Sequence, residues 1–384
     1  MRPVQRILLG FVLSAASVSG ATSSSVADIT KAPRPDVASK IKVETVARKL
    51  ANPWGMAFLP SGDMLVTERP GRLRVVSKDG KLSGPVAGLP EIAAVSQGGL
   101  LDVELGPDFA TSGLIYLSFS SRYDGGMGTT VARGKLTQSG NKWQLDDAEI
   151  IFRQTPAVGT GRHFGSRLVF ANDGKLYVTL GDRGRRDRSQ DMDRHWAKVV
   201  RINPDGGVPD DNPFVGQSGV LPEIFSVGHR NAQGAALHPE TGELWTVEHG
   251  AAGGDEINRV LAGKNYGWAV ISYGRHYSGG KIGVGARKSG LEQPVYYWDP
   301  SIAPSGMIFY TGDLFPGWKG DILVGALRAR MLVRLDVENG QIVREEQLLR
   351  NVGRRIRAVE QGPDGAIYVL TDHSDGAVLR LTLQ

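Results

Sequence analysis

The sequence predicts an all-β chain, a six-bladed β-propeller of four-stranded antiparallel blades with an N-terminal strand closing the ring. Three observations predict it. The 384 residues include 51 glycines and no cysteine, and many glycines with few long apolar runs favour a turn-rich β-structure. One hairpin pattern returns six times along the chain. A strand-like segment, KVETVARKL, precedes the first return and is free to pair with the last.

Arg2 and Arg6 precede ILLGFVLSAASVSG and the small residues that follow it. A basic start, an apolar stretch of about 12 residues and a small-residue exit predict a signal peptide over 1–27, with cleavage near Gly20–Ala21 or after Ala27. The stretch is too short to span a bilayer. Export into an oxidising space without cysteine leaves stability to the core and to ions. Residues 28–41, with Pro33 and Pro35, read as a linker. The propeller domain then fills 42–384. The formal charge of +5 is mild and interspersed, which excludes a nucleic-acid footprint.

The six returns begin at Gly55, Leu100, Ser166, Gly234, Gly306 and Arg357. Each joins an apolar strand to a second one through a turn rich in Pro, Asp and Gly, residues that supply the left-handed positions a hairpin needs. The second strands (MLVTE, LIYLSF, KLYVTL, ELWTVE, DILVGA, AIYVLT) alternate and are rich in Val, Ile, Leu and Tyr. Equivalent positions Leu65, Ile115, Leu176, Leu244, Ile322 and Ile367 lie 50, 61, 68, 78 and 45 residues apart. Repeats of this size suit propeller blades, with long insertions in the middle ones. Pairing 42–50 into the last blade removes two open sheet edges.

Loops at one end of a propeller channel converge, so polar residues beside the repeat strands are the functional candidates. Gln97 sits in SQGGLLD, where glycines admit a ligand close to the backbone. His163 lies among Gly159, Gly161 and Gly165, and imidazole is the usual general base near neutral pH. Arg230 and Asn231 precede the fourth repeat, and the guanidinium fork suits carboxylates. Arg355 and Arg357 are two apart on a strand, so both face one side and Ile356 the other. Two like charges side by side call for an anion between them. Arg328 adds a further cation, with Arg330 alternating onto the same side. The glycine-rich loop with Glu248, Asp255 and Glu256 offers oxygen ligands for calcium, though without EF-hand spacing. DDNPF at 210–214 reads as a capped turn, and GDRGRRDR at 181–188 as a solvated basic loop. No zinc motif, P-loop or nucleophile elbow is present.

The motifs QGGLLDV, HFGSRLVF, GHRNAQG, EHGAAGGDEIN, GKNYGW, SGMIFY and RIRAV occur in this order. Together, from about residue 43 onward, they make the chain similar to the soluble sugar dehydrogenases that depend on pyrroloquinoline quinone (PQQ), and closest to the periplasmic aldose sugar dehydrogenases. The resemblance implies a six-bladed propeller holding PQQ in its central cleft and two calcium ions, one with PQQ and one structural. It implies His163 as the catalytic base. Gln97, Arg230, Asn231, Tyr277, Arg355, Ile356, Arg357 and the Ala326–Leu327–Arg328 segment match cofactor contacts. Backbone carbonyls of Gly250 and Ala251 match ligands of the PQQ calcium, and Glu256 and Tyr266 match the structural site. Three positions depart from the pattern: Ala251 and Ala232 stand where proline is frequent, and Arg328 where lysine is.

The implied reaction oxidises an aldose at its anomeric carbon to a lactone. His163 takes the hydroxyl proton, hydride passes to PQQ, and electrons leave to an external acceptor. The implied protein is periplasmic, a monomer or homodimer, with no membrane span and no nucleic-acid partner. Two other classes compete: a calcium-dependent propeller hydrolase or lactonase, and a non-catalytic extracellular binding propeller. Neither calls for the arginine set.

Overall fold

The computed structural model describes residues 29–384, so the expected signal peptide lies outside the described residues. Six four-stranded antiparallel sheets form in chain order. Their innermost strands are Pro53–Phe58, Leu100–Leu105, Leu168–Phe170, Ala232–Leu237, Pro304–Phe309 and Ile356–Gln361, which open blades 1 to 6. The six predicted hairpins are the first and second strands of these blades. Helix is confined, among the described residues, to Phe109–Ser112 and two short 3-10 turns. No described helix is long and apolar enough to cross a membrane.

The ring closes as expected. Ile41–Leu50 pairs antiparallel with Gly376–Leu383 and becomes the outer strand of blade 6. Residues 29–40 form no strand, yet they are tied down rather than free. Thr30 donates to the Tyr297 carbonyl at 2.8 Å, and Ser39 donates through its backbone to Glu346 at 2.5 Å. The predicted linker is therefore a strap across blades 4 and 5.

Packing explains one departure from the sequence reading. The second strands Met64–Glu68, Leu244–Glu248, Ile322–Ala326 and Ile367–Thr371 are buried at every position rather than on alternate faces. Each blade is covered on both sides by its neighbours. The apolar clusters accordingly sit between blades. Trp245, Val247, Tyr296 and Trp298 of blade 4 meet Met307, Ile322 and Val333 of blade 5, and Ile308 and Leu323 of blade 5 meet Val359, Ile367 and Val369 of blade 6. Inner strands approach closely where a side chain would block them. A Cβ on Gly306 would stand 2.8 Å from the Ala358 Cα of the next blade.

Candidate active site

Four second strands carry a carboxylate at or just past their ends on one face of the ring: Glu68, Asp182, Glu248 and Asp372. Their side chains are at most 9% exposed. A buried carboxylate must be paired, and each of these fixes polar groups around the channel. Glu68 binds Arg72 at 2.6 Å and the Ala51 amide at 2.5 Å. The other three build the site.

Asp182 accepts from His163 Nδ1 at 2.6 Å, from Trp268 Nε1 at 2.8 Å and from the Gly184 amide at 2.7 Å. Burial opposes its ionisation, but the hydrogen bond from His163 and the nearby Arg230 guanidinium prevail and hold the carboxyl below its usual range. An ionised Asp182 makes Nδ1 the donor, so Nε2 keeps its lone pair for a substrate proton. The backbone of His163 adopts a left-handed φ of 50°. Its amide is held at 2.8 Å by the Oε1 of Gln97.

Glu248 accepts from the Arg230 amide at 2.5 Å and contacts His229 Nδ1 at 3.0 Å, while His229 Nε2 meets Ser226 Oγ at 2.8 Å. This Ser–His–Glu array is sealed, with Ser226 and His229 at 0% exposure. It positions the 229–231 turn, and its hydroxyl meets no substrate. The Arg230 guanidinium donates to the His249 carbonyl at 3.1 Å and lies 5.3 Å from the Trp268 ring. Asn231 Oδ1 accepts from the Gly165 amide at 3.1 Å.

Asp372 gathers Asn52 Nδ2 at 3.1 Å, Arg355 Nε at 3.1 Å and Arg357 Nη2 at 3.2 Å. Although it is buried, the two arginine charges and the Asn52 hydrogen bond bring its pKa down to about 2. Burial pushes Arg357 down to about 10. Ile356 points the other way, into the core between blades 5 and 6.

Among these groups lies a cavity of about 160 Å³ whose wall includes Gln97, Asn231, Leu327, Arg355, Arg357 and Asp372, whereas Arg230 lines the smaller neighbouring space with Glu248, Gly250 and Glu256. Phe164 and Gly165, the neighbours of His163, also line the larger cavity, as do Trp54 and His249. His249 donates from Nε2 to the Pro304 carbonyl at 2.6 Å, and burial, with Arg230 nearby, depresses its pKa to about 3. It stays neutral.

Other expected contacts fall elsewhere. Tyr277 is 82% exposed, at the tip of a tight turn closed by His276 and Gly280 at 2.7 Å, so it faces solvent instead of the cavity. Arg328 turns outward into a groove it shares with Arg34 and Arg350, because the chain bends as the Leu327 and Arg328 amides bond to Ala303 and Ile302. Leu327 takes the inward place, and Ala326 is packed between blades 4 and 5. Asp182 and Arg183 correct the reading of 181–188 as a solvated loop. They are 1% and 0% exposed, and the Arg183 guanidinium stacks 3.5 Å from the Phe164 ring centroid.

Among the described residues no cluster of three or more His, Asp or Glu side chains is arranged to hold a metal. The oxygen-rich positions are of another kind. Glu248 and Glu256 lie directly opposite on adjacent strands. Burial first, and then the Glu248 charge, raise the Glu256 pKa. Two opposed carboxylates repel unless a cation or a proton sits between them. Gly250, Glu248, Glu256 and Tyr266 share one small enclosed space. Ala251 packs instead against Ala197, Trp268 and Ile282.

Residues 50–380 match the Glucose / Sorbosone dehydrogenase family. The chain belongs to this family. It is 45% identical over 346 residues to aldose sugar dehydrogenase YliI of Escherichia coli (strain K12), covering 89% of this chain and 93% of that protein. The apo-form crystal structure of the soluble aldose sugar dehydrogenase from Escherichia coli superposes with a TM-score of 0.87 at 45% identity, over 90% of this chain and 100% of that one. The PQQ-bound form of aldose sugar dehydrogenase from Streptomyces coelicolor gives 0.74 at 28% identity, over 90% and 99%. The family resemblance, the propeller and the enzyme class, a sugar-dehydrogenase-type oxidoreductase, therefore stand.

Proposed function

We propose that this protein oxidises aldose sugars at the anomeric carbon to lactones, using PQQ and calcium, in the periplasm, and delivers the electrons to an external acceptor. One observation carries the reading: an imidazole backed by a buried carboxylate stands beside a cavity into which guanidinium groups converge. The residues suit a flat tricarboxylate. Arg230 Nε and Arg357 Nε are buried without a hydrogen-bond partner, and unpaired buried donors call for a ligand. PQQ, when bound, supplies the two-electron acceptor for the hydride that leaves the sugar.

The chain's own residues do the rest. Arg355, Arg357 and Arg230 hold carboxylates, with Asn231 and Gln97 orienting the plane. His163 Nε2 takes the hydroxyl proton, and Asp182 stabilises the imidazolium that forms. Carbonyls of the 250–251 turn would hold the calcium beside the cofactor. Glu256 and the Tyr266 carbonyl would hold the structural one. The relative crystallised with PQQ, an aldose sugar dehydrogenase of the same fold, supports the choice of cofactor.

The direct test reconstitutes the purified apoprotein with PQQ and calcium chloride and follows dye reduction over a panel of aldoses. Reduction with at least one aldose, dependent on both additions, is the expected result. Absence of PQQ binding rejects the proposal.

Calcium has a separate readout. At a hundredfold excess over its Kd, a cation bound only by the folded state adds about 2.7 kcal/mol. Calcium is therefore expected to raise Tm by several degrees and EDTA to reverse it. Glu256→Gln should lose much of that increment without lowering the apo Tm, since it also removes one of two opposed charges. An unchanged calcium increment in Glu256→Gln moves the structural ion elsewhere.

A further inference from the structure

Arg69 was not among the residues that the motifs marked, yet it stands in the cavity wall beside Gln97, Arg355 and Arg357. It follows Glu68 at the end of the second strand of blade 1. Its backbone is gripped on both sides. The Arg69 amide donates to Asn52 at 3.1 Å, and its carbonyl accepts from Leu100 at 3.2 Å. Gly99, with φ of 146°, leaves the space: a Cβ there would collide with the Arg69 carbonyl. The guanidinium Nη1 donates to the Ser96 carbonyl, next to the Gln97 that holds His163.

The charges around the cavity do not balance. Three arginines, Arg69, Arg355 and Arg357, face it, and Asp372 is the one carboxylate in its wall. Asp372 is already shared by Arg355 and Arg357. Among the described residues, no carboxylate pairs with Arg69. Its single side-chain bond goes to a neutral carbonyl, which uses one of five guanidinium donors. A half-buried cation fixed in place, with spare donors and two like charges across a small cavity, is arranged for an anion.

We propose that Arg69 supplies a further cationic contact, from blade 1, to a carboxylate of PQQ. The inference rests on the reading of the cavity as a PQQ site, and the test separates the two. Apoprotein with calcium chloride is titrated with PQQ, and the free quinone is measured by absorbance after ultrafiltration. Removing one charge-assisted contact should weaken binding about ten- to hundredfold in Arg69→Ala. Arg69→Lys should recover part of the loss. The deficit should narrow at high salt, because a partly exposed charge is screened. Arg69→Gln, whose amide keeps a donor for the Ser96 carbonyl, serves where the alanine variant fails to fold. If the wild type binds PQQ and these variants bind it equally well, the Arg69 assignment is overturned and the proposed function survives. A loss of turnover with unchanged PQQ affinity overturns it too, since Arg69 would then act on the sugar. If the wild type binds no PQQ, both fall together.

Discussion

Replacing His163 with alanine should leave PQQ affinity near wild type and lower kcat by about 10²- to 10⁴-fold, the usual weight of a positioned general base. The argument is geometric. The 163–166 segment is fixed by its backbone, through Gln97, Asn231 and Thr179, so the cavity survives loss of the ring. Asp182→Asn is the companion variant. It can still bond to Nδ1, but it no longer balances an imidazolium, and turnover should fall while the sugar KM changes little. Cofactor titration and steady-state kinetics on the same preparations decide the matter. Turnover that persists in His163→Ala assigns the base to another residue.

The second large effect concerns Arg357. Its side chain is 9% exposed and bridges Asp372 to Gln233. Arg357→Ala should weaken PQQ binding by about a hundredfold. It should also cost the apoprotein stability, toward the lower end of the roughly 3–5 kcal/mol typical of a broken buried pair, because Asp372 keeps Arg355 and Asn52. The stability deficit has a defined pH course. Asp372 has a folded pKa of about 2, depressed from an unfolded value of about 3.9. The pairing therefore contributes fully above the unfolded pKa and is lost as pH falls toward the folded one. Tm differences between the two proteins should be largest near pH 7 and shrink between about pH 4 and pH 2. A constant difference over that range excludes Asp372 as the group responsible.

The propeller was legible because it is written locally. Each hairpin carries its own turn residues, and KVETVARKL has the length and pattern to pair with the last blade. The alternation inferred for the second strands was not kept, since a blade has no wet face for them to show. Gln97, Asn231, Leu327, Arg355 and Arg357 came together as the motif order implied. Asp182 was hidden by Arg183, Arg185, Arg186 and Arg188, whose charges made the whole stretch look solvated. A usable signal was present: MLVTE, LWTVE and IYVLTD place an acid beside the end of a buried strand, and YVTLGD does the same two residues later. Tyr277 and Arg328 lie outside the cavity wall for a different reason. Both lie on turns, where side-chain direction is set by tertiary hydrogen bonds that no local pattern encodes.

Blade 6 supplies Arg355, Arg357 and Asp372, and its outermost strand is Ile41–Leu50. A contact between residues more than 300 positions apart forms slowly, against a large loop-closure entropy. On the proposed function, a chain with five finished blades and no sixth lacks Arg355, Arg357 and Asp372 from the wall that would receive PQQ.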